Sequence, residues 1–220
     1  MAKQNGDARD EILAAIRSNL AASVPFDAIR EGHHGRAEPV FPPLFESLSR
    51  EQLIENFRTN LASVGGHCTV VPDEIEATSV VTEIVKKTGS VKVATSDSEN
   101  VKRLIASIET IENASAEVLF GCDIGITSAQ WAIAETGTLV LESEKESHRL
   151  TSLVPPVHLC ILNASSIRQT LGEILELTSR DLSRTITFIT GASRTSDIEL
   201  TLAIGVHGPR ELHVIVIEDQ

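Results

Sequence analysis

Tyrosine is absent from this chain, and only six phenylalanines and a single tryptophan, Trp131, supply its aromatic 3%. So few rings leave little to stack on bases, which argues against a single-stranded nucleic-acid platform. Basic residues are also short: 19 Lys+Arg stand against 31 Asp+Glu, a formal charge of −12. A general DNA or RNA binder needs the opposite surplus to displace counterions, so nucleic acid is excluded as a partner class. No apolar run approaches the roughly 20 residues that cross a bilayer, and the polar opening Met1–Asp10 is no secretory signal. Cys68, Cys122 and Cys160 are an odd, unclustered set that reads as reduced thiols in a cytoplasmic protein, neither disulfide framework nor metal knuckle. The seven histidines show no ligand spacing, so no metal is expected.

What is present is a chain of 220 residues, 41% hydrophobic and 23% charged, enough for one sizeable core and a small extension. The spacing of Ile12, Leu13, Ile16 and Leu20 predicts an amphipathic helix over 7–22. Pro25, Pro39, Pro42 and Pro43 then mark an irregular arm. Residues 1–48 are therefore read as an N-terminal helix and Pro-containing arm, and 49–220 as the main domain. The arm is a packing or dimerisation appendage, with partner docking as the alternative.

Ser49-Arg50-Glu51-Gln52 matches a capping box, predicting a helix that stops at Gly65-Gly66. Short β-branched runs then alternate with helical stretches: strand 68–71, helix 73–88, strand 91–95, helix 98–108, strand 117–120. That alternation indicates a mostly parallel sheet flanked by helices. Further on, residues 127–132 are read as a short helix, and 132–134 and 138–141 as a hairpin around Glu135-Thr136-Gly137. Strands follow at 157–162, 185–190 and 212–217, with a helix over 165–178. Glu142, Glu144 and Glu146 read as a solvated acidic loop.

Four polar, glycine-containing stretches at strand ends are the places for chemistry. In the first, Glu135 on its turn is a candidate base or nucleophile, with Thr136 and Gly137 beside it; a plain turn satisfying backbone groups is the alternative. In the second, Arg149 is a candidate carboxylate or phosphate binder. The third, Thr190 to Glu199, offers Ser193, Arg194 and Thr195 as an anion-binding loop. It lacks the P-loop and dinucleotide patterns, so no nucleotide cofactor is indicated. In the fourth, Gly205-Val206-His207-Gly208-Pro209-Arg210, His207 is a candidate acid/base next to Gly208.

At these four stretches the sequence resembles the LUD-domain family, specifically its lactate utilization protein C (LutC, also YkgG) group. The resemblance is carried by Gly125-Ile126-Thr127, by Ala132 to Leu141, by Arg149-Leu150 and Leu153 to His158, by Thr190 to Glu199 and by Gly205 to Val214, and it spans about residues 120–217. It implies an α/β fold like the NagB/RpiA/CoA-transferase superfamily. It also implies a place in a bacterial three-protein system that oxidises L-lactate to pyruvate, with LutA-like and LutB-like iron–sulfur subunits as partners. With no cysteine set for a cluster and no cofactor fingerprint, the expected role is a non-redox, substrate-handling subunit without cofactors, binding L-lactate or another small anion. A homo-oligomer is compatible with this reading. Two alternatives stand beside it. One is a stand-alone enzyme, either small-anion-binding or like a CoA transferase, the latter because Ala134-Glu135-Thr136-Gly137 is faintly similar to the Ser-Glu-Asn-Gly turn whose Glu is acylated, although the Ser and Asn are missing. The other is a scaffold without chemistry.

Overall fold

The computed structural model describes residues 9, 12–19, 47–89, 92–112, 114–145, 149–179, 183–195, 203–204 and 208–218. Contacts divide the chain into two units, 1–46 and 47–220. In the first, residues 12–19 are helical, with Ile12 and Ile16 exposed and Leu13 half-buried. The expected ends of this helix and the proline arm lie outside the described residues.

The second unit opens with α1 (Arg50–Ser63), and the capping box is formed: Gln52 N–H donates to Ser49 Oγ at 3.3 Å and Ser49 N–H donates to Gln52 Oε1 at 2.8 Å. These bonds satisfy donors that the first turn would leave unpaired. Gly65, at φ 81°, ends the helix as expected. The order then runs β1 (His67–Val71), α2 (Glu74–Lys87), β2 (Val93–Thr95), α3 (Glu99–Leu104), β3 (Ile111–Glu112), α4 (Ala116–Leu119), β4 (Ile124–Ser128), β5 (Trp131–Ile133) and β6 (Thr138–Glu142). A 3-10 turn (Arg149–Ser152), β7 (Val157–Asn163), β8 (Ile167–Arg168), α5 (Leu171–Ser179), β9 (Ile186–Ile189), β10 (Arg194–Thr195), β11 (Ala203–Ile204) and β12 (Glu211–Ile217) complete it.

Six strands form the main sheet in the order β1-β12-β7-β4-β2-β3, and every pairing is parallel. A parallel sheet must be covered on both faces. One face carries Leu159 and Ile161 of β7, Ile124 and Ile126 of β4, and Ile215 and Ile217 of β12, packed on Ala77 and Val81 of α2 and Val101 and Leu104 of α3. The other carries Cys160 and Leu162, Val214 and Val216, against Phe57 and Leu61 of α1 and Leu139 and Leu141 of β6. Phe57 and Leu61 are fully buried, each contributing roughly 1.5–3 kcal/mol of apolar burial. A second sheet, β8-β5-β6-β9, thus shares the second face with α1. The mostly parallel sheet flanked by helices is as expected from the sequence.

Three local expectations differ. Residues 127–132 are not a helix: Thr127 and Ser128 end β4, and Trp131 opens β5. All five residues of β4 are buried, so no alternation marks it as a strand. Residues 117–120 belong to α4 and its C-cap rather than to a strand, because Ser115 caps Val118 N–H. In 165–178, Ile167 pairs with Ala132 in a short strand, and the helix begins only at Leu171. The hairpin is present, β5 pairing antiparallel with β6, with Gly137 at φ 64°. Its turn lies against α1, where Asn60 Nδ2–H donates to Ala134 O at 2.8 Å. A Cβ on Gly137 would collide with the backbone of Leu61.

Candidate functional site

The main sheet has a concave site at each edge. At the amino edge the cause is Gly125. It pairs with His158 of β7, which in turn pairs with Leu212 of β12. Without a side chain at 125, the Thr151 carbonyl of the 3-10 turn packs directly on β4; a Cβ there would collide with it. The turn therefore holds Ser152 and Leu153 close to His158. Arg210 N–H donates to Pro156 O at 2.7 Å and Ser193 N–H to Pro209 O at 2.7 Å, tying the remaining loops to the same place.

The result is a cavity of ≈ 370 Å³. His158, Ser152 and Leu153 form part of its wall; Phe188, Ile189, Thr190 and Gly191 form a second part; Ser193, Gly208, Pro209 and Leu212 close it. His158 is wholly buried, and burial pushes its pKa down to about 3, so the ring is neutral. Its Nε2 shares a hydrogen bond of 2.8 Å with Thr127 Oγ1. Its Nδ1 has no partner among the described residues. Mostly apolar walls with a few placed polar groups are the usual make-up of a small-molecule site.

At the carboxyl edge, beyond the ends of β2, β4 and β7, lies a cleft of ≈ 470 Å³. Ser98, Asn100, Ser128, Gln130, Asn163 and Ser166 supply hydroxyls and amides, and the charged groups are Asp97, Glu99, Glu144 and Lys145. Ser98 and Ser128 share a hydrogen bond of 3.0 Å, and Lys145 Nζ pairs with buried Glu142 at 3.2 Å. Three carboxylates against one already paired ammonium make this cleft unfavourable for an anion.

Of the residues picked from the sequence, Ser193 and Gly208 meet in the amino-edge cavity. Thr136 reaches the same wall through a chain of hydroxyls, 2.7 Å to Thr138 and 2.7 Å on to Thr190. Gly137 sits in the hairpin against α1. Glu135 is exposed, and its Oε1 accepts from Leu171 N–H at 2.8 Å at the start of α5, a favourable seat for a carboxylate. Arg149 is exposed at the head of the 3-10 turn, bordering a narrow crevice with Thr127, Glu142 and Thr187. Arg194 is exposed, its guanidinium beside Gly65 at the end of α1. The described walls of the cavity thus include neither Glu135 nor these two cations. Thr195 lies in β10. His207 is outside the described residues.

The acidic loop needs correction at one residue. Glu142 is 3% exposed, not solvated, and accepts from Trp131 Nε1–H at 3.1 Å and Ser183 Oγ–H at 3.0 Å. Trp131 therefore serves Glu142, and Arg168 stacks on its ring at 4.8 Å. His158 was part of a recognised motif but not picked out as a site residue, because a histidine inside an apolar run reads as core. Ser152 and Thr190 lie within the second and third stretches but were given no role, and the whole carboxyl-edge cleft was missed. The one available signal was the hydroxyl-rich Thr95-Ser96-Asp97-Ser98 at the end of a strand.

The LUD domain model matches residues 54–217. Lactate utilization protein C of Deinococcus radiodurans is 29% identical over 218 residues, covering 96% of each chain. Lactate utilization protein C of a Geobacillus species is 25% identical over 235 residues, again covering 96% of each. An uncharacterized protein of Neisseria meningitidis serogroup B is 40% identical over 116 residues, so the chain spans about half of that relative: 51% of this chain and 50% of the other. Among solved structures, a DUF162-family protein from Deinococcus radiodurans superposes with a TM-score of 0.64 at 24% identity, covering 78% of this chain and 99% of that one, a likeness of fold. With its model matched over three quarters of the sequence and an α/β fold shared with this solved relative, the chain belongs to the LUD-domain family.

Proposed function

We propose that this protein is a ligand-binding, non-redox component of an L-lactate utilization system, acting beside LutA-like and LutB-like iron–sulfur subunits. The observation that carries the reading is the similarity along 96% of both chains to relatives named lactate utilization protein C. Three cysteines in the sequence do not supply the four thiolates of an iron–sulfur cluster, which favours a role in binding rather than electron transfer. The amino-edge cavity supports a binding subunit, since three of the motif stretches that define the resemblance converge there, through Leu153 and His158, through Thr190 and Ser193, and through Gly208 and Leu212. The experiment is deletion of the gene in its host, followed by growth on L-lactate as sole carbon source. The reading expects growth to fail, to return with the intact gene, and tagged protein to co-purify with iron–sulfur subunits from L-lactate-grown cells. Growth of the deletion strain at the parent's rate overturns it.

A further inference from the structure

Against the amino-edge cavity lies a buried ring with a polar atom that no described residue pairs with. His158 is 0% exposed, Thr127 occupies its Nε2, and its Nδ1 has no hydrogen-bond partner among the described residues. An unpaired buried polar group is costly, and most such groups in native proteins have a partner. The ring is also part of the cavity wall.

The rest of that wall says what kind of molecule fits. Leu153, Phe188, Ile189, Pro209 and Leu212 are apolar, and Ser152, Thr190 and Ser193 add hydroxyls. No charged side chain belongs to the described wall. His158 does not supply a charge either, because burial keeps the imidazole neutral. A carboxylate or phosphate entering here would lose water without gaining a cation from the described wall, which is unfavourable. The volume, ≈ 370 Å³, lies in the range of small-molecule sites and equals roughly a dozen waters at about 30 Å³ each. A three-carbon acid would leave much of the apolar wall uncovered.

We propose that this cavity binds an uncharged, largely apolar small molecule through one carbonyl or hydroxyl group hydrogen-bonded to Nδ1 of His158. The bond to Thr127 decides which. If the Thr127 hydroxyl donates to Nε2, Nδ1 carries the proton and takes a carbonyl. If Nε2–H donates to Thr127, Nδ1 is a bare acceptor and takes a hydroxyl. The inference concerns the same cavity as the proposed function but stands without it, since it rests on the described wall, with which the carboxylate of L-lactate is mismatched.

The test uses the full chain labelled with ¹⁵N-histidine and long-range ¹H–¹⁵N correlation of the His158 ring. Acetophenone, benzyl alcohol, toluene, benzoate and L-lactate are titrated in turn. The proposal expects acetophenone or benzyl alcohol to move the Nδ1 resonance and to bind more tightly than the other three. His158→Gln, which keeps a polar group towards Thr127 and removes the Nδ1 position, then weakens that probe about tenfold or more. His158→Asn, which retains a polar group near Nδ1, weakens it less. Tighter binding of benzoate or L-lactate overturns the proposal, as does equal binding of toluene. An Nδ1 resonance unmoved by every probe also overturns it; this measurement needs only the wild-type chain.

Discussion

The two edges of the main sheet are built from the same strands and are opposite in chemistry. β4 and β7 each begin beside a largely apolar cavity around a neutral histidine and end beside a cleft crowded with carboxylates and hydroxyls. Ligands of open α/β sheets collect at the carboxyl edge, where successive loops diverge. Here the motif residues Ser193 and Gly208 gather at the amino edge instead. The reason is packing. The 3-10 turn sits directly on Gly125, and β9, in the second sheet, brings Phe188 and Thr190 over the beginning of β7. A second layer laid on one face of the sheet thus creates a walled site where a simple doubly covered sheet would have none.

The contrast is open to attack by mutation, most strongly at Gly125. Gly125→Ala places a methyl group in the Thr151 carbonyl and pushes the 3-10 turn off the sheet. The expected cost is about 3 kcal/mol in urea unfolding, with loss of probe binding at the amino edge. A fully stable variant would show that the turn is not held by this contact.

A smaller effect is expected at Thr127. Thr127→Val leaves both nitrogens of His158 unpaired and should cost about 1–3 kcal/mol. Thr127→Val combined with His158→Leu should cost less than the two single changes together, because no buried polar atom is then stranded. Strict additivity in that cycle would argue against the pair acting as a unit.

Acid distinguishes the edges by a comparable amount. His158 has an ordinary value of 6.5 and a folded value of about 3, so below 6.5 the unfolded chain binds a proton that the fold refuses. Its contribution is intact above about pH 6.5 and is lost progressively as pH falls towards 3. Between pH 7 and 5 the loss is about 2 kcal/mol. Half-buried His213 is also held below its usual value by burial and titrates in the same sense. The check is therefore the difference between wild type and His158→Phe, whose stability should fall less steeply over this interval. Parallel curves would remove His158 from the acid response.

The mildest change is expected at the carboxyl edge. Ser128→Ala removes one hydroxyl contact, to Ser98, and should cost about 1 kcal/mol or less, leaving amino-edge binding unchanged. Loss of that binding would mean that the two sites are coupled along β4.

What could be read in advance followed the physical range of each signal. The Ser49/Gln52 capping box, the Gly65 stop and the turn at Gly137 are local, so the bonds and dihedrals that define them were visible in four or five residues. β12 was legible because its β-branched run is long. β4 was misread because burial on both faces removes the polar residues that would reveal a period of two. Glu142 was misread because its partners Trp131 and Ser183 are distant in sequence. At the site, Ser193 and Gly208 could be found from their loops. The carboxyl-edge cleft could not, since Ser98, Ser128 and Asn163 come from the ends of three separate strands.

By itself the sequence determined the class: an acidic, aromatic-poor α/β chain with the ordered motifs of the LUD domain. It did so because hydrophobic periodicity, caps and turn residues act over a few positions. Only the tertiary structure decided which of those motifs share a site and with what charge. It set Arg149 and Arg194 outside the cavity and Glu135 at the start of a helix, and it buried His158 as a neutral ring. Solvation and charge are properties of what surrounds a side chain, and those surroundings exist only once β4, β7, β9 and β12 have come together.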